Sequence, residues 1–352
     1  MNILLRCLLH AALLASAHAA AQTGPGDHTA SDRGRIAAKP LFRDPVFDGA
    51  ADPVIVRHPT RGSWWMLYTN RRAKATDLPG VSWVHGTRIG IAESRDEGAS
   101  WSYVGTADIA LPAEMGGQDA TQWAPDVVRA DDGTYHMFLT VVPGVFTDWN
   151  HPRHIVHLTS TDLRTWRNAR AIKLASDRVI DAAVTRLPGG LWRMWYNNER
   201  DHKSIHYADS PDLSTWAERG KVVADQAGEG PKVFQWRGAW WMITDVWRGL
   251  AVYRSLDAVN WTRQSGNLLQ QPGTGLDDGA IGGHCDVVVS GERAWLFYFT
   301  HPGRGAVQGG AGTGTDGVAQ RRSVIQVTEL IQSGDTLRVE RDAPTRIALR
   351  AD

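Results

Sequence analysis

The chain has 352 residues with 38 basic and 38 acidic side chains, and this zero net charge excludes a global field that would steer nucleic acid or a polyanion. Of its two cysteines, Cys7 falls in the N-terminal apolar stretch, which leaves Cys285 without an internal partner, so stability must come from a core and not from disulfides. Residues 1–21 carry one basic residue (Arg6), an apolar run through Leu14 and small residues at Ala17, Ala19 and Ala21, the layout of a cleavable secretory signal. No later stretch reaches the roughly 20 apolar residues that a membrane-spanning helix needs. The expectation is a secreted or periplasmic protein with neither nucleic acid nor membrane as partner.

Residues 22–43 are mostly small and polar and read as a flexible leader. From there, short apolar runs alternate with turn residues and almost nothing has helical period, which predicts an all-β domain over residues 44–352. The first unit runs Val54 to Val56, Trp64 to Thr69 and Arg88 to Ala92, and ends in a turn containing Ser94, Asp96 and Trp101. The same turn recurs at Ser160, Asp162 and Trp166, at Ser210, Asp212 and Trp216, and at Ser255, Asp257 and Trp261. Four interchangeable copies suit a scaffold better than one active site, with Ser and Asp bonding nearby amides and Trp plugging the gap between sheets. Further units start near Trp123, Ile180, Glu229 and Asp286, so the chain is expected to form a five-bladed β-propeller of four-stranded antiparallel blades.

Loop length distinguishes the two faces of such a ring. The long connections, 70–86, 107–122, 142–154 and the Gly-rich 302–320, all emerge where strand two meets strand three or where one blade meets the next, and long loops on one side of a rigid scaffold are where binding sites lie. The innermost strands start on that face. Their openings read Ala51-Asp52-Pro53, Ala124-Pro125-Asp126, Ile180-Asp181-Ala182, Gly228-Glu229-Gly230 and Gly283-His284-Cys285, which brings four carboxylates and a histidine toward the axis. Converging like charges raise one another's pKa at a cost in stability, and this favours a functional reading.

The segments ADPVIV, QWAPDVV, VIDAAV, GEGPKVF and GGHCDVV, taken as a spaced set, resemble glycoside hydrolase family 43 and related five-bladed propeller glycosidases from about Asp44 onward. The resemblance implies Asp52 as general base, Asp181 as a carboxyl that tunes the site, Glu229 as general acid, Asp126 as a substrate-positioning group and His284 as ligand to a metal such as calcium or to an ordered water. No cofactor is required for the chemistry. The chain departs from the family's usual Pro-Asp-Pro and Ile-Asp-Pro with Ala-Asp-Pro and Ile-Asp-Ala. Inverting hydrolysis independently asks for one protonated carboxyl at the leaving oxygen and one carboxylate that activates water. Trp83, Trp149 and Trp247 are candidates for stacking on sugar faces, and Arg71, with Arg72, Arg88, Arg200 and Arg248, for recognition of an acidic sugar. The expected activity is exo-acting hydrolysis of terminal arabinofuranosides, xylosides or galactosides. Two alternatives remain: a carbohydrate-binding propeller without turnover, and a sialidase-like glycosidase suggested by SRDEGASW, which resembles a sialidase Asp box.

Overall fold

A computed structural model describes residues 34–305 and 316–350. Five sheets form a propeller, and each blade runs outward in sequence order from its inner strand. The inner strands are Ala50–Arg57, Thr121–Arg129, Val179–Arg186, Glu229–Trp236 and Gly283–Ser290. The outermost strands are Ser102–Thr106, Thr165–Ala171, Ala217–Val223, Thr262–Arg263 and Thr336–Val339. The second blade gains a fifth strand where Asp108–Ile109 pairs in parallel with its outer edge. Five blades, in place of the six that the sialidase alternative requires, remove that reading.

The sequence repeats build the turns on the face opposite the cavity. Ser94, Ser160, Ser210 and Ser255 each donate to the aspartate two residues on, at 2.8 to 3.1 Å. Asp162 accepts the amides of Arg164 and Thr165 at 2.9 and 2.7 Å, and Asp212 and Asp257 repeat the arrangement. These bonds hold tight turns in place of water. Trp166 is fully buried and donates its indole N–H to the Leu163 carbonyl, which fixes the ring between neighbouring sheets. The scaffold role expected for the repeats is what the structure shows.

Side chains stitch each blade to the next near the axis. Thr69 Oγ1 accepts Ala124 N–H, Thr140 Oγ1 accepts Asp181 N–H and Asp181 Oδ2 accepts Gly230 N–H at 2.8 to 3.0 Å. Asp245 Oδ2 accepts His284 N–H at 2.9 Å, and Asp286 Oδ2 accepts Ile55 N–H at 2.7 Å, which closes the ring from blade five to blade one. Each bond satisfies a backbone amide that an inner strand cannot pair within its own sheet.

The leader expectation is corrected over its described part. Arg35–Ile36 pairs antiparallel with Arg346–Ile347, Phe42 exchanges both backbone bonds with Ile325, and Leu41 and Phe42 are buried. The apolar side chains within this polar stretch dock it on blade five. The expected secretory signal falls within residues 1–33, outside the described residues. So do residues 306–315 of the Gly-rich stretch expected to cover the channel.

Candidate active site

All five inner strands lose register with the second strand of their blade after the first, second or third residue. The breaks fall between Ala51 and Val54, Trp123 and Asp126, Ile180 and Ala183, Glu229 and Lys232, and Gly283 and Cys285. Such a bulge releases a side chain from the alternation of the sheet and re-aims it. At the bulges, Asp52, Ala124, Asp181 and Gly230 take left-handed backbone angles, with φ of 49°, 40°, 59° and 58°. Aspartate and glycine enter this region more readily than most residues, so the local chemistry that aims two acids at the axis also makes their backbone tolerable.

The cavity at this end of the ring has a volume of about 320 Å³, and Asp52, Asp181 and Glu229 all line it from three different blades. Arg71 donates to both oxygens of Asp52 at 3.2 and 3.3 Å, lies 3.1 Å from His301 Nε2, and packs over the Phe299 ring. Glu229 is gripped on both oxygens, by Trp247 Nε1 on Oε1 and by Lys203 Nζ on Oε2, each at 3.2 Å. His284 Nδ1 stands between two carboxylates, 3.7 Å from Asp52 Oδ1 and 3.9 Å from Asp181 Oδ2. Its ring lies where a side chain on Gly230 would sit: a Cβ there would come within 2.5 Å of the imidazole.

Burial and neighbouring charges perturb several of these groups. Burial, then the nearby charges of Glu229 and Asp52, push the Asp181 carboxyl well above the usual carboxylate range. Burial and then Glu229 push Asp245 up to about 7. Burial alone would lower the Lys203 ammonium, but Glu229 and Glu199 beside it raise its pKa. Glu199 is in turn ion-paired with buried Arg153, whose guanidinium lies over the Trp123 ring. Burial thus favours the neutral form of two of the cavity's acids, Asp181 and Asp245, and perturbed carboxyls gathered in a cleft are a feature of functional sites.

A family model described as a probable glycosyl hydrolase domain, related to glycoside hydrolase family 43, matches residues 44–266. The chain belongs to that family. The fold agrees with a thermostable family-43 glycoside hydrolase, at TM-score 0.60 and 18% identity, over 88% of this chain and all of that one. It also agrees with a β-xylosidase/α-arabinofuranosidase from a compost metagenome, at TM-score 0.61 and 16% identity over 89% and 98% of the two chains. A third match is a Xanthomonas citri family-43 enzyme solved with xylotriose, at TM-score 0.60 and 13% identity over 90% and 97%. A search of curated proteins finds no match.

In this glycosidase the register corrects the alignment of the inner-strand motifs. Ala124, not Asp126, occupies the bulge position of Asp52 and Asp181, and Glu229 stands one residue before it. Asp126 lies two residues further in, level with Lys232 and Asp286, and does not line the cavity. There it accepts Val184 N–H at 2.7 Å and pairs with Lys232 at 3.3 Å, so its role is to tie blades together and not to hold substrate. The texts Ala-Asp-Pro and Ala-Pro-Asp look alike, but a shift of two residues moves the side chain one layer down the axis.

Trp149 and Trp247 line the cavity as expected, whereas Trp83 is fully buried against Val81 and Val84 in a 3-10 turn. Trp123, which the sequence reading passed over as a strand residue, lines the wall instead. Arg72 and Arg88 donate to the backbone carbonyls of Ser82 and Ala120, and Arg200 pairs with Asp177, so these three do not meet the cavity as sugar ligands. Among the described residues, no group of three or more His, Cys, Asp and Glu side chains is placed to hold a metal ion. His284 contributes one nitrogen, and the carboxylates facing it, Asp52 and Asp181, are those the family resemblance implies for hydrolysis, so the donor set does not fit the expected calcium.

Sequence reading missed Asp245, Lys203, Glu199 and Arg153, all of which line the cavity. Lys203 and Glu199 lie in the connection between strands two and three of blade three, a signal available from the face rule but hidden by the loop's short length. Asp245 ends the second strand of blade four directly across from Glu229, which only the pairing register reveals.

Proposed function

We propose that this glycosidase is an inverting, exo-acting enzyme in which Glu229 protonates the leaving oxygen, Asp52 activates water, and Asp181 tunes the pair. One observation carries the reading: Asp52, Asp181 and Glu229, from three separate blades, face a single cavity. Inversion needs the acid and the base on opposite sides of the reacting carbon. Asp52 is oriented by Arg71, and Glu229 by Lys203 and Trp247, so each has its own support. Asp181 stays close to both through His284 and the Gly230 amide. A small cavity walled by Trp123, Trp149 and Trp247 fits the end of a glycan better than its interior. Xylosidase and arabinofuranosidase activities among the structurally similar enzymes favour terminal xylosides or arabinofuranosides over galactosides as substrates. The signal-like N-terminus supports action outside the cytoplasm, in the periplasm or medium.

Leaving-group dependence tests the assignment. Glu229→Gln is expected to lose on the order of 10² to 10⁴-fold in kcat/KM on alkyl glycosides and oligosaccharides, yet far less on a dinitrophenyl glycoside, which departs without protonation. Asp52→Asn is expected to be poor on both. Equal losses for Glu229→Gln on both substrates would show that it is not the acid. An early fall in polymer length with few monosaccharides released would contradict exo action.

A further inference from the structure

Asp245 has no role in the assignments above, yet its placement is unusual. It is the last residue of Ala239–Asp245, sits opposite Glu229 in the strand register, is 5% exposed, and lines the cavity. Both of its oxygens are used by backbone donors: Oδ1 accepts Trp247 N–H at 2.8 Å and Oδ2 accepts His284 N–H at 2.9 Å. Trp247 follows two residues on and has φ of 55°, a left-handed conformation that is costly for a bulky side chain. The bond from Asp245 closes this turn in the manner of an Asx turn. The turn then decides where the indole points, and the indole N–H meets Glu229 Oε1 at 3.2 Å. Lys203 Nζ, on the other oxygen of Glu229, lies 5.1 Å from the centre of the same indole.

We propose that Asp245 is a positioning residue for the acid: by fixing the left-handed turn at Trp247 it holds the indole N–H on Glu229 and so aims that carboxyl at the leaving oxygen. The proposal rests on Glu229 being the acid. Asparagine at 245 keeps the shape but has one acceptor oxygen in place of two, so one of the two backbone donors loses its partner. Buried donors without partners are costly, and the strained turn at Trp247 relaxes first because it has the alternative of ordinary backbone angles. Glu229 then keeps its Lys203 contact but loses its fixed direction.

The test compares kcat/KM of the wild type, Asp245→Asn, Trp247→Phe, the double variant and Glu229→Gln on an alkyl and a dinitrophenyl glycoside of whichever sugar the wild-type enzyme releases. Asp245→Asn and Trp247→Phe are each expected to lose roughly 10 to 100-fold on the alkyl glycoside, the scale of losing one partner of a buried hydrogen bond. On the dinitrophenyl glycoside the loss should be several-fold smaller. The double variant should be no worse than the weaker single variant, because both remove one interaction. Trp247→Phe leaves the Asp245 backbone bonds in place and carries the test alone if Asp245→Asn does not fold. Equal losses on the two substrates for either variant, or multiplied losses in the double variant, overturn the proposal while leaving Glu229 as the acid if Glu229→Gln still discriminates between them. If Glu229→Gln does not discriminate, the acid assignment fails and this proposal fails with it.

Discussion

Lys232→Met should destabilise the propeller by an amount that depends on pH. Lys232 Nζ lies 2.7 Å from Asp286 Oδ1 and 3.3 Å from Asp126 Oδ1, so one ammonium neutralises two carboxylates from blades two and five. Those carboxylates also hold Ile55 N–H of blade one and Val184 N–H of blade three. Methionine keeps the length of the side chain and removes its charge. Taking one partner from a buried ion pair costs about 3–5 kcal/mol, because the remaining charge stays in a poorly solvating site. The Lys232 side chain is 18% exposed to the channel, so water relieves part of this and about 3 kcal/mol is the expected value. An unfolding entropy of about 2.1 cal/mol/K per residue gives about 1.5 °C per kcal/mol for a chain of this length, so Tm should fall by roughly 4–5 °C.

The sign of the pH dependence follows from Asp286. Burial raises its pKa even while Lys232 pulls it down, and without the ammonium it rises further. A carboxyl whose folded pKa is raised supports the fold only while protonated, so the deficit should be small near pH 4 and grow toward pH 8. Thermal melts of the wild type and Lys232→Met across that range measure it. The uncharged triple variant Asp126→Asn/Lys232→Met/Asp286→Asn should recover most of the loss at pH 8. A Tm change under about 2 °C at pH 8, or a deficit equal at both ends of the range, would refute the reasoning.

Gly230→Ala should cost about 1–3 kcal/mol, because the new Cβ meets the His284 ring at 2.5 Å on a left-handed backbone, and it should lower activity by displacing that ring; a melt and kcat/KM read both effects. Asp162→Ala, on the opposite face, should lose about 1 kcal/mol of stability with kcat unchanged, since its side chain only closes a turn through the amides of Arg164 and Thr165. Trp149→Ala should raise KM more than it lowers kcat, if the ring serves substrate binding at the cavity wall. The Asp245 carboxyl, raised to about 7, contributes stability below about pH 4 that is lost as pH rises to 7. At about 1.4 kcal/mol per pH unit this reaches roughly 4 kcal/mol at most, and comparing the pH slope of Tm in the wild type and Asp245→Asn isolates it.

The sequence by itself determined the ring. Period-two apolar runs and four copies of the Ser/Asp/Trp turn are local features, and each is fixed by hydrogen bonds within a few residues, as the Ser160 to Trp166 turn shows. The active face was legible for a similar reason, because loop length on a propeller has few causes other than function. Asp52, Asp181 and Glu229 could be named because they open strands that any propeller must point at its axis. The depth of each side chain along that axis was not legible, since it depends on where a bulge interrupts the pairing between two strands. That difference sent Asp126 below the cavity to Lys232 and left Ala124 at the rim. Nor could the sequence show Asp245 or Lys203 beside Glu229, because both arrive from other strands and loops through pairing and packing alone. Local chemistry specifies turns and strands, whereas the charges that surround a catalytic carboxyl are set by contacts between segments distant in the chain, and those exist only once the blades have closed.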